Sequence, residues 1–280
     1  MRYGYQFHAH ATGVAGQLTH PFKDVLEVQA PAALPITGGY SRGRVENFRY
    51  KEIVSFKAAY TQVTGGYCEE TDSWDTVMTA TVEGFEIMGM IKADLIVGRL
   101  SSRYPVNGDE PSILPLGSRF EGLQIAGNPV NVVLNTGLYC KLDTHSKVYD
   151  AYKNDASFRE EFDRSHQVGK HEELPETHQA YFPWGRHKPT EEIPHADGMI
   201  AASLVKSLEY ETDAFRHYGH VIYLPHFGKI ILGQLLVNHK ARRLTMVQVD
   251  LGCSVCGMMT AASGESNGTP MPPHPKPSGT

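Results

Sequence analysis

Apolar and polar residues alternate along much of this chain. In residues 2–12, Tyr3, Tyr5, Phe7, Ala9 and Ala11 share one parity, and Arg2, Gln6, His8, His10 and Thr12 the other. A period of two sends successive side chains to opposite faces, so this stretch reads as a half-buried β-strand. Residues 45–63 alternate again through Phe48, Tyr50, Val54, Phe56, Ala58 and Tyr60, as one long strand or two broken near Lys51 and Glu52. In residues 76–100, Met78, Ala80 and Val82 are even, whereas Phe85, Ile87, Ile91, Ala93, Leu95 and Val97 are odd. The parity flips at Glu83-Gly84, as a β-bulge of one extra residue would produce.

Leu123 and Ile125 lead into the turn Ala126-Gly127-Asn128-Pro129, and Val130, Val132 and Leu134 return as a hairpin. Later strands are predicted around Ile200–Tyr210, Ile222–Leu224, Ile230–Leu236 and Thr245–Leu251. Between these β regions the period changes. Val148, Ala151 and Tyr152, then Phe158 and Phe162, have helical spacing, which predicts one or two short amphipathic helices over 143–165. Residues 166–198 carry Pro175, Pro183, Pro189 and Pro194 and read as a long loop. From Ala261 the chain is rich in Gly, Ser and Pro, which predicts a disordered tail.

The expected fold is therefore mainly β: an antiparallel β-sandwich or partly open barrel with a short helical and loop insertion. The expected organisation is a first β block at 1–139, the insertion at 140–198, a second β block at 199–260 completing the same domain, and the tail at 261–280.

The composition narrows the function classes. Of 280 residues, 41% are hydrophobic and 20% charged, within the globular range. The net charge of −5 and the lack of a basic run argue against nucleic acid or an anionic membrane surface as partner. No apolar run is long enough to span a membrane as a helix. The N-terminus lacks a secretory pattern, so a cytoplasmic chain or a mature product is expected. The 4 cysteines are too few for a disulfide scaffold at this length and read most simply as free thiols.

Three blocks are written in β-hairpin grammar: "TATVEGFEIMGMIKADLIVGRLSS" (79–102), "GSRFEGLQIAGNPVNV" (117–132), and "LPHFGKIILGQLLV" followed by "RRLTMVQVDL" (224–251). A strand ends in Ala93-Asp94, a Ser-X-Phe-X-Gly-Leu leads into a Gly-X-Pro-Val hairpin, and a Leu-Pro-X-X-Gly strand pair follows. In this the chain resembles the bacterial choice-of-anchor P family. The resemblance implies a β-rich extracellular or surface domain of unassigned activity and supplies no catalytic residues. The chain departs from it in its insertion at 140–219 and in having no visible leader or anchor.

Four sets of residues could carry chemistry. His8 and His10, two apart on a strand, project from one face about 7 Å apart, so both imidazoles could reach one ion such as zinc. The same pair also reads as the wet face of the strand. Cys253 and Cys256 form a Cys-X-X-Cys, which can be half of a zinc site or a redox pair, or simply two thiols at a domain's end. His166, His171, His178, His187 and His195 crowd one loop, and His217 and His220 are spaced three apart. Finally, Arg42, Arg44, Arg49, Lys51 and Lys57 interleave with aromatics, as on a single-strand platform, but Glu46 and Glu52 interrupt them and ordinary strand surface fits better. No nucleophile elbow, phosphate loop, dinucleotide fingerprint or His-Glu-X-X-His occurs.

Two functional readings result. In the first, this is a non-enzymatic β-sandwich acting by association with itself or another protein, a structural or surface-assembly subunit with no cofactor. In the second, it is a metal-binding module or metal-dependent enzyme using His8 and His10 with further histidines, or Cys253 and Cys256.

Overall fold

A computed structural model describes residues 4–165, 199–252 and 254–271. The chain opens with β1 (Tyr5–Phe7), β2 (His10–His20), β3 (Asp24–Gln29) and β4 (Ala32–Ala33). Long strands follow: β5 (Gly39–Tyr50), β6 (Val54–Cys68), β7 (Ser73–Ile87) and β8 (Ile91–Pro105). Short ones come next: β9 (Ser112–Leu114), β10 (Arg119–Glu121), β11 (Gln124–Ile125), β12 (Asn128–Pro129) and β13 (Asn131–Leu134). Three helices follow, α1 (Thr136–Lys141), α2 (His145–Asn154) and α3 (Ala156–Ser165). The chain then runs through β14 (Ile200–Ser203), β15 (Val205–Glu209), β16 (Arg216–Tyr218), β17 (Val221–Leu224), β18 (Gly228–Val237), β19 (Ala241–Gly252) and β20 (Cys256–Pro270).

Among the described residues these strands form antiparallel sheets of ten, eight and two strands, none closed into a barrel. The ten-stranded sheet runs β16-β17-β18-β19-β20-β2-β3, and the eight-stranded sheet runs β12-β11-β8-β7-β6-β5. Their inner faces share one core, in which Phe7, Val14, Met78, Val82, Leu100, Leu244 and Val247 are buried. The fold is the expected mainly β, sandwich-like body with a short helical insertion. The sheets do not follow the two β blocks, however. The N-terminal β2 lies against the C-terminal β20, so the first strands of the chain complete the sheet built by the last ones.

The tail expectation fails for residues 261–270. They belong to β20, a strand of 15 residues paired with β19 on one side and β2 on the other. The small residues that suggest flexibility in the sequence are here required by close approach. Ala262, Gly264, Ser266 and Gly268 face inward. A Cβ on Gly264 would stand 2.5 Å from the His10 carbonyl oxygen and 2.7 Å from Met78 Cε. Residues 272–280 lie outside the described residues.

The parity flip at Gly84 is present, with φ +60°, but no residue is inserted. Glu83 faces Leu95 and Phe85 faces Ala93 on one unbroken register, and Ala58–Glu83 and Ser55–Glu86 keep count on the other side. The neighbouring strands reverse at the same row instead. In β6, burial passes from Val54, Phe56 and Ala58 to Ala59, Thr61 and Val63, and Asn47 of β5 takes φ +52°. The large sheet has an equivalent seam, with Gly233 at +58° and Ala262 at +50°. A left-handed residue in alternate strands turns the next side chain to the other face, and strands that reverse together keep their ladder intact.

The predicted helical segment splits in two because Asp155 caps the second piece, its carboxylate accepting from the Ser157 and Phe158 amides at 2.9 and 3.0 Å. Val148 and Tyr152 of α2 and Phe158 and Phe162 of α3 join the main core. The helices therefore cover one end of the sandwich as part of the same body.

Candidate metal centre

Three loops meet at that end. The first follows β8 and carries Glu110. The second joins α1 to α2, carries Asp143 and Thr144, and delivers His145 as the first residue of α2. The third is the tight turn between β18 and β19, with His239 at its tip. Each is held locally. The Ile113 amide donates to the Asp143 carbonyl at 2.8 Å, which ties the first loop to the second. Thr144 caps α2 by accepting from the Lys147 amide at 3.2 Å. In the third, Asn238 Oδ1 accepts from the Lys240 and Ala241 amides at 2.9 and 2.6 Å, the local side-chain bonding that suits asparagine to turns.

Glu110 is drawn to the N-terminus of α2. Its Oε1 accepts from the His145 and Ser146 amides at 2.7 and 3.2 Å. Exposed donors and the positive end of the helix dipole favour a carboxylate there. The same placement brings it to two imidazoles. His239 Nδ1 lies 3.5 Å from Glu110 Oε1, and the rings of His145 and His239 have centroids 4.0 Å apart. One ligand atom from each of Glu110, His145 and His239 lies within 4.8 Å of the others, and this is the one such group of three among the described residues. His145 is buried at 1% exposure, while the His239 side chain keeps 40% and opens the site to solvent.

Arg242, also 1% exposed, lies within electrostatic reach of Glu110 and Asp143 and donates from Nη2 to the Leu142 carbonyl at 2.8 Å. Burial pushes its guanidinium down to about 10, while the charges of Tyr139, Asp143, Glu110 and Cys140 work in the opposite sense. Burial acts on Asp143 to raise its carboxyl, but hydrogen bonds from Lys147 and Ser112 and the Lys147 charge together hold it below the ordinary value. The centre thus contains two carboxylates, one buried guanidinium and two imidazoles.

The arrangement fits a transition-metal ion by donor type. Two nitrogen donors and one carboxylate suit zinc and its neighbours, whereas calcium and magnesium take all-oxygen shells. Zinc ligands at about 2.1 Å in a tetrahedron stand about 3.4 Å apart. The His239–Glu110 pair already has that spacing at 3.5 Å, and the rest of the trio, within 4.8 Å, must close by at most about 1.4 Å.

His8 and His10 lie elsewhere. Both are exposed on the outer face, as the alternation predicted, with Tyr5, Phe7, Ala9 and Ala11 buried behind them. His10 faces Glu265 across the ladder, and Glu265 is paired with Arg243 at 3.3 Å. Neither histidine belongs to a group of three potential ligands among the described residues. Cys253 lies outside the described residues, and Cys256 begins β20 opposite His20. His166, His171, His178, His187 and His195 also lie outside them. His217 lines a separate cleft of about 480 Å³ between the helices and β15, where burial lowers its basicity and Tyr210 Oη sits 2.7 Å from its Nδ1.

The sequence reading missed Glu110, His145 and His239. Glu110 and His145 are 35 residues apart, and no ligand spacing links either to His239. The local signals were present: a Thr-His at a helix start and an Asn-His turn. Nothing in one dimension says that these loops meet.

Residues 5–238 match the family model DUF8256, described as a domain of unknown function. The match contains Glu110 and His145 and stops one residue before His239. No curated protein and no solved structure matches the chain. By the extent of the family match, the chain belongs to the DUF8256 family.

Proposed function

We propose that this protein is a metal-binding β-sandwich module, with Glu110, His145 and His239 as ligands for one divalent transition-metal ion such as zinc. The observation that supports the reading is the convergence of those three ligand atoms within 4.8 Å from three separate loops. A bound ion would join the helical insertion, through His145, to both sheets of the sandwich. Solvent access at His239 leaves room for water as a fourth ligand.

Titration of metal-free protein with zinc by calorimetry tests this. One equivalent is expected, with binding lost in His239→Ala and in His145→Ala. His8→Ala should bind as wild type. Binding of less than a tenth of an equivalent, or equal binding by His239→Ala, overturns the reading.

A second reading, association through strand edges, is favoured by β3. It ends the path of the ten-stranded sheet and exposes Val25 at 68% and Val28 at 49%. Edge strands offer unpaired backbone groups to another chain. Light scattering after size exclusion should show a dimer or larger species that Val25→Lys disperses. A monomer at high concentration would refute it.

A further inference from the structure

The arginine-rich segment of β5 is divided by the fold into two kinds of residue. Arg49 pairs with Glu52 at 3.0 Å, and Lys51 reaches Asp24 at 3.6 Å and lies over the Phe22 ring. Arg44 pairs with Glu46. Elsewhere on the same sheet, Arg103 pairs with Asp75 at 3.2 Å and Arg119 with Glu121 at 2.7 Å. Arg42 and Arg99 have no carboxylate within ion-pair reach among the described residues, and both line one groove of about 530 Å³ on the outer face of the eight-stranded sheet.

The register sets what lies between them. Arg42 of β5 faces Gln62 of β6, Gln62 faces Thr79 of β7, and Thr79 faces Arg99 of β8. The row crosses three strand spacings, about 14 Å at roughly 4.8 Å each. It thus has a guanidinium at either end and an amide and a hydroxyl between them. The next row adds Arg44, Tyr60 and Thr81.

We propose that this groove binds an acidic oligosaccharide, a short glycan bearing carboxylates. Charge complementarity carries the assignment. In a chain of net charge −5, two guanidiniums without carboxylate partners among the described residues line one groove. Planar guanidinium matches carboxylate in a two-point hydrogen-bonded geometry. The neutral donors and acceptors of Gln62, Thr79 and Thr81 suit sugar hydroxyls. Single-stranded nucleic acid fits less well, because it needs open aromatic faces for its bases. Two tyrosines line the groove: the Tyr60 ring has the Arg44 guanidinium 5.3 Å from its centroid, which leaves Tyr40, 53% exposed, as a single open ring where successive bases need several.

The test measures binding of oligogalacturonate to the full-length protein by calorimetry, with dextran oligomers and oligo(dT) as competitors. Saturable binding that falls with added salt is expected. Arg42→Gln and Arg99→Gln should each weaken it about tenfold, the size of one lost charge-assisted contact. Both side chains are exposed, so thermal unfolding of the variants should match wild type. Absence of binding, equal affinity for dextran, tighter binding of oligo(dT), or unchanged affinity in both variants would overturn the proposal. Since the groove and the metal centre share no residue, His239→Ala should bind oligogalacturonate as wild type, so failure of one proposal is distinguishable from failure of the other.

Discussion

Gly264→Ala separates a strand from a tail at residues 261–270. The new Cβ would stand 2.5 Å from the His10 carbonyl oxygen, 2.7 Å from Met78 Cε and 2.9 Å from Met78 Sδ. Ordinary carbon contacts begin near 3.5 Å, so the overlap with the methionine is about 0.8 Å. Met78 has flexible bonds and can yield, but it is fully buried and must displace neighbours. The carbonyl cannot yield easily, because β2 is paired with β20 on this register, with His10 opposite Glu265 and Ala11 opposite Gly264. Overpacking of this kind costs about 1–3 kcal/mol and sometimes more. A backbone obstacle puts Gly264→Ala at the upper end, about 3 kcal/mol. For a chain of this size that is roughly 6–12 °C in Tm. Urea unfolding gives the free energy directly, with Ser263→Ala as the half-exposed control, expected within about 0.5 kcal/mol of wild type. If Gly264→Ala also falls within that margin, the packing account of β20 is wrong.

Other consequences can be checked together. Phe158→Ala in α3 should destabilise the whole protein in one transition by about 3–5 kcal/mol, because Phe158 belongs to the main core; a separate early transition would show that the helices unfold on their own. Burial raises the Asp250 carboxyl, so its folded form holds a proton more tightly than its unfolded form, and the charge costs stability at neutral pH. Asp250→Asn should therefore raise Tm at pH 7, the gain shrinking as pH falls through the raised value, and a gain that grows on acidification would contradict the assignment. Zinc at 100 times its Kd should stabilise the wild type by about 2.7 kcal/mol, read as a rise in Tm that His239→Ala abolishes.

Much of the body was legible from alternation. Tyr5, Phe7, Ala9 and Ala11 face inward and His8 and His10 outward because a two-residue period leaves a strand one way to hide its apolar side. The helical spacing of Val148 and Tyr152, and of Phe158 and Phe162, was read for the same reason. The flip at Gly84 was visible, but its meaning was not. A single strand cannot report that its neighbours reverse at the same row.

By itself, the sequence determined which residues share a face of each strand and where helices replace strands. Those are local consequences of side-chain period. Only the tertiary structure decided that β2 lies beside β20, that Gly264 must be small because the His10 carbonyl and the buried Met78 side chain press on it, and that Glu110, His145 and His239 meet. These depend on distances between segments remote in sequence, set by how two sheets pack and where their loops end. The histidine pair most visible in the sequence faces solvent, and the trio that could hold an ion has no sequence spacing at all.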